Sequence, residues 1–191
     1  MAYTTRRALL EKVAQNDEAA WREFVDFYAP LIEMYGRAFG LTAQEQDELK
    51  QNVYVKLFTS KAVAQYLPER GKFRTYFRTI VGNCARNLLR ARRRRERLGP
   101  LDDEEPVDEA AEEARFDREW QAFILEKAKE EVRREVGDVT YLAFEMVAVH
   151  QRPPQEVAKV LKVSVNVVYL AKSRVTARLA EAVRRLSEEL G

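Results

Sequence analysis

The chain has 191 residues, 46% hydrophobic and 34% charged, with 33 Lys and Arg against 31 Asp and Glu for a net charge of +2. This is the composition of a folded chain with a heavily charged surface, long enough for one or two domains. One cysteine excludes an internal disulfide and a Cys-based zinc site, one histidine excludes a His-pair metal site, and no run of about 18 apolar residues exists to span a bilayer.

The small net charge is unevenly distributed. Residues 1–100 carry 19 basic and 11 acidic residues, residues 101–136 carry 6 and 14, and residues 137–191 carry 8 and 6. The blocks therefore balance at +8, −8 and +2, a pattern that favours a nucleic-acid partner over the neutral total. Met1–Leu10 lacks the apolar core of a signal peptide, so a cytoplasmic chain is expected.

In chain order, helical spacing dominates. Trp21, Phe24, Val25, Tyr28, Leu31, Ile32 and Tyr35 predict a helix over 17–36, capped by Asp17 and closed by Gly36 and Gly40. Leu49, Val53, Leu57 and Phe58 form a stripe over 43–60, and Thr42 with Glu45 has capping-box form. Pro68 and Gly71 break the chain in a loop over 61–71. A third helix occupies 72–97, with Phe73, Phe77, Ile80, Cys84 and Leu88 on one face. Residues 98–114 hold eight carboxylates, Gly99, Pro100 and Pro106, and predict an extended, flexible linker. The helical period returns with Phe116, Trp120, Phe123, Ile124 and Lys127, to about Val136. A further helix over 139–151 carries Leu142, Met146 and Val149, and Pro153 stops it. The expected fold is all-α: a domain over 1–97, an acidic linker over 98–114, and a second domain over 115–191.

Residues 154–178 fit a helix-turn-helix. The first helix is Pro154 to Leu161, with Val157 and Leu161 inward and Ala158 at the close crossing; Lys162, Val163 and Ser164 form the turn. Ser164 caps a second helix whose buried stripe is Val168, Ala171 and Val175. Asn166, Tyr169, Leu170, Ser173 and Arg174 then face outward, where a reading helix meets base edges in a major groove. An ordinary three-helix bundle fits the same pattern. The helix over 72–97 combines Lys72, Arg74, Arg78, Arg86, Arg90, Arg92–Arg95 and Arg97 with Tyr76. Guanidinium groups hold phosphate by paired hydrogen bonds, and aromatic faces stack on exposed bases.

Together these segments resemble the small, two-domain sigma factors of the extracytoplasmic-function type, over about residues 15–97 and 137–187. Asp47-Glu48-Leu49-Lys50-Gln51-Asn52-Val53-Tyr54 resembles the helix with which sigma region two grips the polymerase clamp. The resemblance implies polymerase contacts at Asp47, Glu48, Gln51, Asn52 and Tyr54. Phe73-Arg74-Thr75-Tyr76-Phe77 through Asn83 and Arg90 is similar to the melting and minus-ten helix, with Tyr76 where the family has Trp and Asn87 where it has Asp. The implied DNA contacts are Lys72, Arg74, Tyr76, Asn83, Arg86, Asn87, Arg90, Arg92, Arg93 and Arg94. The helix-turn-helix resembles sigma region four, implying contacts from Ser164, Asn166, Tyr169, Lys172, Ser173 and Arg174 to the minus-thirty-five element. Lys162 replaces the usual turn Gly there. In relatives the loop before the basic helix captures a flipped base; Lys61, Gln65, Tyr66 and Arg70 are available for that here.

The resemblance implies core RNA polymerase, promoter DNA and an anti-sigma factor as partners. The acidic linker would thread a basic channel of the polymerase, act as a spacer, or screen the arginine helix of the free protein. No nucleophile–base pair, phosphate-binding Gly-rich loop or cofactor motif occurs, so no enzyme, cofactor or metal is expected. His150 sits at a helix end and Cys84 on a packed stripe. The alternative is a stand-alone helix-turn-helix regulator that binds duplex DNA without polymerase.

Overall fold

The computed structural model describes residues 6–59, 73–96 and 108–190. They form α1 (Arg6–Ala14), α2 (Glu18–Ala38), α3 (Ala43–Thr59), α4 (Phe73–Glu96), α5 (Glu109–Val136), α6 (Asp138–Phe144), a π-helical turn (Glu145–Val149), α7 (Pro154–Leu161) and α8 (Val165–Leu190). The fold is all-α, with no strand among the described residues. Two compact units are present, Met1–Phe123 with Glu189–Gly191, and Ile124–Glu188.

In the first unit, α1 buries Leu9 and Val13. Apolar spacing does not predict this helix, because two buried positions within nine residues make too short a stripe to detect. α2 opens on Asp17, whose carboxylate accepts the Ala20 amide at 2.8 Å. Its buried face is Phe24, Phe27, Tyr28, Leu31, Ile32 and Tyr35. The helix runs past Gly36 to Ala38 before Gly40, at φ +67°, turns the chain. Gly36 is thus a packing residue: a Cβ there would stand 3.0 Å from the Gln46 side chain of α3.

α3 begins with a reciprocal cap. The Glu45 carboxylate accepts the Thr42 amide at 2.9 Å, and Thr42 Oγ1 accepts the Glu45 amide at 3.3 Å. Leu49, Val53 and Leu57 are buried as their spacing predicts, but Phe58 is 59% exposed. Phe58 leans on Trp21 at a ring distance of 5.6 Å, lying one step round the helix from Leu57. α4 buries Phe73, Phe77, Ile80, Val81, Cys84, Ala85 and Leu88. The aromatic cluster closes with α5: Phe123 meets Phe27 edge-on at 5.2 Å, and Phe116 meets Tyr35 at 5.4 Å.

Helix α5 begins at Glu109, so residues 109–114 of the expected linker are helical rather than extended. The Asp108 carboxylate accepts the Ala111 amide at 3.0 Å, which fixes that start. Residues 98–107 of that linker lie outside the described residues. So do the proposed base-capturing loop residues Lys61, Gln65, Tyr66 and Arg70, and also Lys72 and Arg97.

In the second unit, the helix expected over 139–151 is two pieces. After α6 the turn widens at Glu145–Val149, where the His150 amide donates to the Glu145 carbonyl. Tyr141, Ala143 and Phe144 are buried, while Leu142 and Val149, inward by an α-helical period, are 43% and 55% exposed. A π-turn inserts a residue and rotates the helix beyond it, so a 3.6-residue period misplaces the later side chains. α7, the turn and α8 then pack Val157, Ala158, Val168 and Ala171 around Ala143, with Leu161, Val163, Met146 and Val147 partly buried at the margin. Lys162 takes the left-handed conformation, φ 54° and ψ 44°, that the sharp turn needs. Ser164 Oγ accepts the Val167 amide at 3.3 Å.

Candidate nucleic-acid interface

The basic helix α4 presents three faces. One is the buried stripe. A second carries arginines that meet the acidic start of α5: Arg74 pairs with Asp117, Arg78 with Glu113, and Arg86 with Glu112. The Arg74 guanidinium also lies over the Trp120 ring, 5.3 Å from its centre. Glu112 accepts a second hydrogen bond from the Tyr35 hydroxyl at 3.2 Å. Burial first, and the Glu112 charge second, hold that hydroxyl protonated well above the usual phenol range. Gly82 allows this approach, since a Cβ there would collide with Glu112.

The third face of α4 is open. Thr75, Thr79, Asn83 and Asn87 recur every fourth residue and are exposed, so they form one polar row along the helix. Arg93, Arg94 and Arg95 stand beyond them at its exposed end. Tyr76 is half-buried beside the row, and its hydroxyl is pushed up by burial. Of the residues assigned to DNA by sequence, Asn83, Asn87, Arg93 and Arg94 thus face solvent. Arg74 and Arg86 are engaged by carboxylates, and Arg92 binds Glu45 at 3.0 Å and the Gly40 carbonyl at 3.1 Å. Arg90 is partly buried. The charge blocks signalled these pairs, but only the helical start of α5 brings the opposite charges into register.

On α3, Glu48, Gln51 and Asn52 are exposed along one side. Asp47 has no basic residue four positions on, yet Lys50 pairs with it at 3.0 Å, and with Glu33 at 2.7 Å. Residues three apart on a helix also meet, a spacing that inspection of position i+4 alone misses. Tyr54 is half-buried and donates its hydroxyl to the Val25 carbonyl at 3.3 Å. Burial raises it to about 12. Beside it, Trp21, Val55 and Phe58 line a mainly apolar surface pocket of about 430 Å³.

On α8, Ser164, Asn166, Tyr169, Lys172, Ser173 and Arg174 are all exposed, opposite or beside the buried Val168, Ala171 and Val175. Arg178, farther along, is tied to Glu135 at 2.6 Å. Among the described residues, no group of three His, Cys, Asp or Glu is placed to hold a metal ion, and no helix is long and apolar enough to cross a membrane. Cys84 is buried, and burial pushes its thiol up.

No curated protein matches the chain. Among solved structures, that of CnrH in complex with the cytosolic domain of CnrY matches with 21% identity and a TM-score of 0.38, covering 94% of this chain and 97% of that one. Residues 24–95 match the family model of Sigma-70 region 2, a span that contains all of α3 and nearly all of α2 and α4, so this part of the chain carries the region 2 pattern of a sigma factor.

Proposed function

We propose that the protein is an RNA polymerase sigma factor that binds core polymerase, recognises promoter DNA and promotes strand opening. The observation that carries this reading is the Sigma-70 region 2 match over 24–95, supported by a basic α4 whose polar row ends in exposed arginines. In this reading Glu48, Gln51 and Asn52 on α3 contact the polymerase clamp. Asn83, Asn87, Arg93 and Arg94 contact the promoter, and Tyr76, beside the polar row, stacks on an unpaired base. Stacking of that kind is worth about 1–3 kcal/mol per base. The helix-turn-helix of α7 and α8 reads a second, upstream duplex element. The protein acts in the cytoplasm, without a catalytic centre or cofactor of its own, and takes an anti-sigma protein as a further partner.

Run-off transcription with purified bacterial core polymerase tests this reading. The expected result is a specific transcript that depends on this chain, lost on Glu48→Arg through failure to bind core. If no holoenzyme forms, while the chain alone binds duplex DNA with a two-fold symmetric footprint, a stand-alone regulator is the correct description.

A further inference from the structure

Asn83 stands on the open polar row of α4, and its orientation is set by a chain of hydrogen bonds that begins on α5. Arg86 donates through Nη1 to Glu112 Oε2 and through Nη2 to Asn83 Oδ1. The other Glu112 oxygen accepts the Tyr35 hydroxyl at 3.2 Å. The Glu112 side chain is only 14% exposed and that of Arg86 27%. Gly82 leaves the room for this approach, since a Cβ there would collide with Glu112. Glu112 is therefore a fixed anchor, Arg86 bridges from it, and the exposed Asn83 is the outer end.

An exposed Asn on a helix ordinarily turns among rotamers and can present either end of its amide. Arginine carries five donors and no acceptor, so the end it grips on Asn83 is the carbonyl oxygen. The amide nitrogen is left pointing away from Arg86, with no partner among the described residues. Asn83 thus offers DNA its two N–H donors. Holding Glu112 and Asn83 at once takes two nitrogens of one planar fork, which a lysine lacks.

We propose that Glu112 and Arg86 are positioning residues for DNA: they hold Asn83 with its amide nitrogen outward, to donate to an acceptor of the promoter strand, on a phosphate or on a base edge. The inference rests on the proposed sigma-factor function and adds to it Glu112, a residue beyond the matched span 24–95.

The test is a double-mutant cycle on the full chain assembled with core polymerase, read with a fluorescent single strand that this holoenzyme selects from a randomised pool. Asn83→Ala is expected to weaken binding about fivefold, the worth of one hydrogen bond. In an Arg86→Lys background, which keeps the charge and loses the fork, the same change is expected to weaken binding less than about twofold. Glu112→Ala frees Arg86 for a phosphate and should raise overall affinity, yet it too should remove the dependence on Asn83. An Asn83→Ala effect of the same size in all three backgrounds would overturn the inference, as would an Asn83→Ala chain that binds like wild type. Single methylphosphonate linkages and single abasic sites along the strand separate the two sources. The substitution that abolishes the Asn83→Ala effect marks the acceptor as phosphate or base, and an effect that survives all of them would overturn donation by Asn83. In the free chain, NMR relaxation of the Asn83 side-chain amide is expected to report an ordered group in wild type and a mobile one in Arg86→Lys. Equal mobility would overturn the brace without reference to polymerase. Failure to form a holoenzyme, with the brace present by that measurement, would instead remove the sigma reading and the DNA role that rests on it.

Discussion

Three residues carry consequences that can be measured singly. Glu45 is only 7% exposed, yet its carboxyl is held below the usual value, chiefly by the Thr42 amide and also by Arg92. A carboxyl lowered in the folded state stabilises fully above its unfolded value, near 4.3, and loses that contribution as pH falls through the folded one. Glu45→Ala is therefore expected to cost about 1 kcal/mol at neutral pH, the usual worth of a cap. It should also flatten the acid limb of a stability–pH curve from urea melts. Lys162 sits at a positive φ that is strained for an L-residue. Relief of about 1–2 kcal/mol of strain, set against the greater unfolded freedom of glycine, predicts that Lys162→Gly stabilises by about 0.5–1 kcal/mol. Thermal melting would report it, and a fall in the midpoint would contradict it. Cys84, the only thiol, is 3% exposed, so an aromatic disulfide reagent should leave it unmodified in the native state and titrate one thiol after denaturation.

At the scale of elements, the start of α5 combines apolar anchoring with charge pairing. Phe116 is fully buried, and Trp120 and Phe123 nearly so. Phe116→Ala is expected to cost about 3–5 kcal/mol, read as a shift in the urea midpoint. The ion pairs of Arg74, Arg78 and Arg86 are partly exposed, and pairs of that kind contribute about 0–1 kcal/mol each. Changing Glu112 and Glu113 to Gln and Asp117 to Asn together should therefore keep the helix docked, lower stability by no more than about 3 kcal/mol, and raise affinity for a fluorescent DNA strand several-fold. Unchanged affinity would mean that this face of α4 meets no nucleic acid. Most of these elements were legible from apolar spacing: the stripes of α2, α3, α4 and α8 recur at three and four residues and most of their members are buried, although Phe58 is exposed and Trp21 and Val25 are only partly buried. Where the period misled, a physical cause is visible. Leu142 precedes a widened turn that ends at Val149, so one α-helical period does not join them, and the apolar content of α1 is too small to show. The site was legible less fully. Sequence identified which helix is basic, but not which of its arginines are already paired, because that depends on helix α5 meeting helix α4.

For the whole molecule, the segmental charge balances of +8, −8 and +2 anticipated an acidic segment with a basic partner, and α4 supplies one for Glu112, Glu113 and Asp117. The salt ions released on binding are those condensed on DNA, freed as arginines neutralise phosphates, and an arginine held by its own chain's carboxylate neutralises none. Binding through Arg74, Arg78 and Arg86 exchanges a tethered anion for a phosphate. The dependence of affinity on salt concentration therefore counts fewer cations than the helix contains. Freeing those three arginines should steepen the slope of log affinity against log salt by about 0.7–0.9 for each one that reaches a phosphate. In the proposed function, affinity for DNA falls less with ionic strength than the arginine content alone suggests, because arginines held by the chain's own carboxylates neutralise no phosphate.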